Sequence, residues 1–92
     1  MRYEIEFSDK VKSDIEKIEK SGDKIVLKKL YSLINELKIH PKTGTGKPEQ
    51  LKHYQEPTWS RRISSKHRLI YEIQEEKVIV FLLSAYGHYD DK

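Results

Sequence analysis

Residues 58–73 read TWSRRISSKHRLIYEI, and the parity of their apolar side chains decides the fold. Successive side chains of a β-strand point to opposite faces, so residues two apart share a face. Over 58–63 the apolar residues Trp59 and Ile63 are odd-numbered, and over 67–73 so are Leu69, Tyr71 and Ile73. Two strands follow, each with one apolar face, and the even-numbered Arg62 and Arg68 then project from the other. For both to do so as neighbours, Arg62 and Arg68 must lie across from one another. That register needs an odd loop, Ser64-Ser65-Lys66, in place of a two-residue turn. Like charges directly opposed across strands destabilise a sheet, so stability alone does not favour the placement. Either Glu72 on the same face bridges the arginines, or the pair serves phosphate, whose oxygens match guanidinium forks bidentately. Arg61 has the parity of the core face and is expected at an edge or reaching outward, in a structural or auxiliary role.

Outward from this hairpin, Val78 to Ala85 is nearly all apolar and is expected to be the buried central strand. Residues 41–50, PKTGTGKPEQ, hold two prolines and two glycines and no aliphatic or aromatic side chain beyond proline, which predicts a loop. Before it, Val26, Leu30, Leu33, Ile34 and Leu37 form a helical stripe ending near His40, since Pro41 disfavours helical geometry in the preceding residue. Val11, Ile15 and Ile18 mark an earlier helix with Ser8 as N-cap, separated from the second by Ser21-Gly22-Asp23. Tyr3, Ile5 and Phe7 alternate with polar residues as a first strand with an inner apolar face. The order β-α-α-β-β-β predicts an α+β fold in one domain over 1–92: an antiparallel sheet with two N-terminal helices on one face and the other face open.

At 92 residues, with hydrophobic and charged fractions of 36% each, the composition is that of a small globular domain and not of a disordered chain. The longest apolar stretch is far too short for a membrane helix, and the charged, alternating first residues are not those of a signal peptide. With no cysteine, a reducing cytoplasm is the expected location. Charge is unevenly spread. Residues 40–71 hold seven basic side chains (Lys42, Lys47, Lys52, Arg61, Arg62, Lys66, Arg68) against Glu49 and Glu56, whereas residues 72–92 hold two basic and five acidic ones. Cationic charge packed into a third of a small domain is a footprint for a polyanion.

Lys47-Pro48-Glu49, Leu51-Lys52-His53, Trp59-Ser60-Arg61-Arg62-Ile63 and His67-Arg68-Leu69-Ile70-Tyr71, with a closing His88-Tyr89, resemble in order and spacing the YoeB (Txe/YoeB) toxins of the RelE/ParE superfamily. The resemblance implies a RelE-like, microbial-ribonuclease-like fold. It also implies a type II toxin that cleaves mRNA in the ribosomal A site, an acidic antitoxin of the YefM/Phd type, and a homodimer. Matched by position, it puts the catalytic set on Glu49, Arg68, His88 and Tyr89, with Lys52 and Arg62 in support. Arg61 and His53, structural or substrate-contacting by their place in the sequence, are added as substrate- or phosphate-binding candidates. Residues 54–58 lack the family's glycine-containing turn, Gly87 precedes His88, and Asp90-Asp91-Lys92 follows Tyr89.

RNA carries its own nucleophile, the 2′-hydroxyl, so the set needs no cofactor and no metal; the four histidines show no ligand spacing. What is needed is a base for that hydroxyl, an acid for the 5′-oxygen and positive charge at phosphorus. Glu49 as base and His88 as acid suit the task, and exchanged roles fit the same residues. Trp59 and Tyr71 have core parity and are expected to pack, while Tyr54 and Tyr86 are candidates for base stacking. Two other functions use the same sequence differently: a ParE-like toxin that binds DNA gyrase, and an RNA-binding module without turnover.

Overall fold

The computed structural model describes residues 2–87. The first alternating segment forms β1 (Glu4–Phe7). Tyr3 and Ile5 pack against the core, whereas Phe7 stays exposed. The Ser8 hydroxyl accepts the Val11 N–H at 3.0 Å and starts α1 (Asp9–Ser21), which ends with Gly22 in the left-handed conformation. The Asp23 carboxylate accepts the Val26 N–H at 3.1 Å and starts α2 (Lys24–Leu37). The α2 stripe lands as its spacing requires: Leu30, Leu33, Ile34 and Leu37 are buried, and Val26 packs against them. Each such leucine contributes about 1.5–3 kcal/mol relative to an exposed one.

The hairpin has the expected register. In β3 (Thr58–Arg62) and β4 (Arg68–Gln74), Arg62 pairs with Arg68, Arg61 with Leu69 and Trp59 with Tyr71. The Ile63 N–H donates to the His67 carbonyl at 2.9 Å, which leaves Ser64-Ser65-Lys66 as the loop. A 3-10 turn (Glu75–Lys77) leads into β5 (Ile79–Ser84).

Three features of the sheet differ from the sequence reading. Its order is β1-β5-β4-β3-β2, and β1 runs parallel to β5, so the sheet is mixed and not wholly antiparallel. A parallel pair needs a long crossover, and α1 and α2 lie within the one that joins these two strands. β4, not β5, is the middle and most buried strand, with Leu69, Ile70, Tyr71 and Ile73 all buried. β5 is interior but half-exposed at Ile79, Phe81 and Leu83. A short β2 (Glu49–Gln50) also pairs with β3 inside a segment that reads as loop. It is held by the Arg62 N–H on the Gly46 carbonyl (2.7 Å) before it and the Leu51 N–H on the Thr58 carbonyl (2.8 Å) after it. Ile63, Leu69, Tyr71, Ile73, Val80 and Leu82 join the helix residues in one core, so the helices cover the odd-numbered face of β3 and β4.

Candidate functional site

The face opposite the helices is built by register. Directly paired residues share a face, so Glu49 lies with its partner Ser60 and with Ile70, next to the Arg62–Arg68 pair. β2 is therefore what brings a carboxylate to the arginines. Two residues flanking it, Lys47 (φ 51°) and His53 (φ 70°), are held in the left-handed region, which costs a non-glycine residue about 1–3 kcal/mol and recurs where function constrains the backbone. Glu49, Lys52, His53 and Arg62 are exposed, and Arg68 is half-buried.

Glu72 does not bridge the arginines: its carboxylate accepts from Gln74 Nε2 at 2.6 Å. Among the described residues neither the Arg62 nor the Arg68 guanidinium has a hydrogen bond or ion pair. The opposed pair is thus uncompensated, among the described residues, on the face of the sheet where it stands. Ser60 is a further unpaired group. Its hydroxyl, opposite Glu49, is buried and has no hydrogen-bond partner among the described residues.

Arg61 is a correction. It neither lies at an edge nor reaches outward but is fully buried, so it is not available to a phosphate. Its guanidinium donates to Tyr71 Oη (3.0 Å), Glu36 Oε1 (2.5 Å) and the carbonyls of Thr45 (3.3 Å), Thr43 (2.7 Å) and His40. Tyr71 Oη donates in turn to the Pro41 carbonyl at 2.7 Å, and Glu36 accepts the Thr45 N–H at 2.6 Å. Burial pushes the Glu36 carboxyl up, but hydrogen bonds from Thr45 and Arg61 and the charge of Arg61 outweigh it and hold the group below the usual carboxylate range. Burial likewise raises the Tyr71 hydroxyl, against the opposing hydrogen bond and charge of Arg61. This clamp fixes residues 40–45, the approach to β2. Gly44 belongs to it: at φ 119°, a Cβ there would fall on the Glu36 carboxylate.

The C-terminal segment is tied to the same site. Asp14, buried on α1, accepts the Ala85 N–H at 3.0 Å and pairs with Lys10 Nζ at 3.0 Å. His67 Nδ1 accepts the Gly87 N–H at 2.8 Å, and the Gly87 carbonyl accepts the Arg68 N–H at 3.0 Å. The Tyr86 ring lies 4.5 Å from that of His67, with Lys17 Nζ 5.3 Å above it. His67 is therefore an anchor for the segment that precedes His88 and Tyr89, which lie outside the described residues.

Sequence reasoning missed β2, the clamp and Asp14. Asp14 is marked by its burial and Glu36 by its bonds to Arg61 and Thr45, neither of which a helical period reports. Among the described residues no three His, Asp or Glu side chains come together to hold a metal ion, and no helix is long and apolar enough to cross a membrane.

Residues 7–89 match a family model described as the YoeB-like toxin of a bacterial type II toxin–antitoxin system. A YoeB toxin of Synechocystis is 41% identical over 68 residues, covering 74% of this chain and 77% of that protein. The fold superposes on a YoeB/ParE toxin from Agrobacterium tumefaciens with a TM-score of 0.84, at 29% identity over 94% of this chain and 99% of the other. Staphylococcus aureus YoeB, solved as a dimer, gives 0.79 at 31% identity over 97% and 100% of the two chains. Its heterotetrameric complex with YefM gives 0.76 over the same shares, also at 31% identity.

Proposed function

The chain belongs to the YoeB-like toxins of bacterial type II toxin–antitoxin systems, and from that premise we propose that it is a ribonuclease that cuts mRNA in the ribosomal A site. The observation that carries the reading is the Arg62–Arg68 pair, uncompensated among the described residues, with Glu49 beside it on the helix-free face. An arrangement that sets two guanidinium groups across from one another at a cost in stability suits an anionic ligand.

In this reading Glu49 takes the proton from the 2′-hydroxyl as the 2′-oxygen bonds to phosphorus. The bond from phosphorus to the 5′-oxygen breaks, and His88 gives that oxygen its proton. The products are a 2′,3′-cyclic phosphate and a 5′-hydroxyl. Arg68 and Arg62 hold the phosphate and the charge that builds on it, and Lys52 adds to them. Tyr89 orients the phosphate, and His53 stands beside the substrate. His67 and Asp14 act at a distance, by fixing the segment that leads to His88 and Tyr89.

An acidic antitoxin segment suits a basic face of this kind, and an antitoxin of the YefM type, as in the Staphylococcus aureus YoeB–YefM complex, is the partner expected. Self-association as in the Staphylococcus aureus dimer is part of the same proposal. The test is to add the folded protein to translating ribosomes on a defined mRNA and map cuts by primer extension. A Glu49→Ala, His88→Ala double variant and mRNA without ribosomes run beside it. Discrete cuts at the A-site codon, lost in the variant, are expected; intact mRNA returns the gyrase-binding and non-catalytic RNA-binding readings to the front.

A further inference from the structure

Beside Arg62 lies an open cleft of about 390 Å³ that runs from the β3–β4 loop to α2. Lys29 of α2, Lys47 before β2 and Arg62 of β3 line it, together with Ser64 and Ser65. Every ionisable side chain on its wall is therefore cationic. Among the described residues none of the three cations has an ion-pair partner. Three like charges around one cleft repel. The backbone adds to the cost, since Lys47 sits at φ 51°. Gly46 at φ 86° lets the chain close on β3, where a Cβ would come 2.9 Å from the Arg62 carbonyl oxygen.

We propose that this cleft is a second phosphate site, which takes a backbone phosphate of the RNA strand adjoining the one that is cut. The inference rests on the ribonuclease reading and deepens it, because Arg62 is shared by the cleft and by the pair with Arg68. The ligand is a phosphodiester of single-stranded RNA. Lysine charges at Lys29 and Lys47 recognise it without reading a base, so the cleft sets the register of the strand against Glu49 and not its sequence. The serine hydroxyls of the loop add neutral donors at its rim.

The test is equilibrium binding of 2′-O-methyl RNA, which lacks the nucleophile and is not cut, as a ten-nucleotide and a three-nucleotide strand across a series of salt concentrations. Wild type is compared with a Lys29→Ala, Lys47→Ala double variant and with Arg68→Ala. The double variant is expected to bind the longer strand about ten-fold more weakly at low salt and the trinucleotide as wild type does. Its slope of log affinity against log salt should fall by about 0.7 for each phosphate the cleft no longer holds. Arg68→Ala should weaken both strands. If the double variant matches wild type on the longer strand while Arg68→Ala does not, the inference falls and the ribonuclease reading stands. Equal weakening of both strands also overturns it, since that is diffuse charge and not an adjoining site. If wild type binds neither strand the inference falls as well, and the ribonuclease reading is then judged by its own cleavage map.

Discussion

Arg61 and Arg62 are adjacent in the chain and opposite in circumstance. Arg61 is fully buried, and all of its guanidinium nitrogens donate to Tyr71, Glu36 and three loop carbonyls. Arg62 is exposed, faces another arginine, and has no ion-pair partner among the described residues. One residue of strand parity separates them. A buried guanidinium is tolerable because each donor is satisfied and one carboxylate answers its charge. An opposed pair with no answering carboxylate among the described residues is what remains when a sheet keeps charge for something outside itself. The clamp and the face are also joined: the clamp holds residues 40–45, and the chain from there enters β2 and carries Glu49 to the face.

That division of labour separates variants by what they lose. The largest effect belongs to the face: Glu49→Gln is expected to slow mRNA cleavage by about 10²–10⁴-fold, the range for a lost general base, with the urea unfolding midpoint unchanged. Next is the clamp. Arg61→Ala empties a fully buried site, leaves the half-buried Glu36 carboxylate and several carbonyls unanswered, and should cost about 3–5 kcal/mol in urea unfolding. Arg61→Lys should recover little of it, because an ammonium cannot span the same set of acceptors.

Smaller again is the anchor of the C-terminal segment. Asp14→Ala strands the Ala85 N–H and should cost about 1–3 kcal/mol, read by the same unfolding measurement. Cleavage should fall more than that loss of folded protein explains, since the segment leading to His88 loses its tie. The smallest effect is the pH dependence of the clamp. The folded-state value of Glu36 lies below its unfolded one, so the unfolded chain takes up the proton first. The stability it contributes is complete above the ordinary glutamate value of about 4.3 and is lost as pH falls through the folded value. The difference in unfolding free energy between wild type and Glu36→Gln should therefore shrink as pH is lowered from about 6 to about 3.

The face was legible in the sequence where a strict period of two governs it. Trp59, Ile63, Leu69, Tyr71 and Ile73 impose one parity on both strands. With that parity, the facing of Arg62 and Arg68 and the Ser64-Ser65-Lys66 loop follow together. The clamp was not legible, because its members stand 25 residues apart at Glu36 and Arg61, and residues 40–46 bind through carbonyls, which no side-chain pattern reports. For the same reason β2 reads as loop: Glu49 and Gln50 offer no apolar alternation, and backbone bonds to Thr58 and Arg62 hold their flanks. The direction of β1 was also out of reach, since alternation identifies a strand but not the neighbour it finds across a helical crossover. His88 and Tyr89 rest on the resemblance alone.

The most direct test of the division pairs two measurements on one protein, an Arg62→Ala, Arg68→Ala variant: its unfolding free energy and its rate of mRNA cleavage on translating ribosomes. Stability equal to wild type or slightly higher is expected, since opposed like charges are removed, with cleavage lower by at least about a hundred-fold. A variant that cuts as fast as wild type, or one that fails to cut only because it no longer folds, would contradict the division.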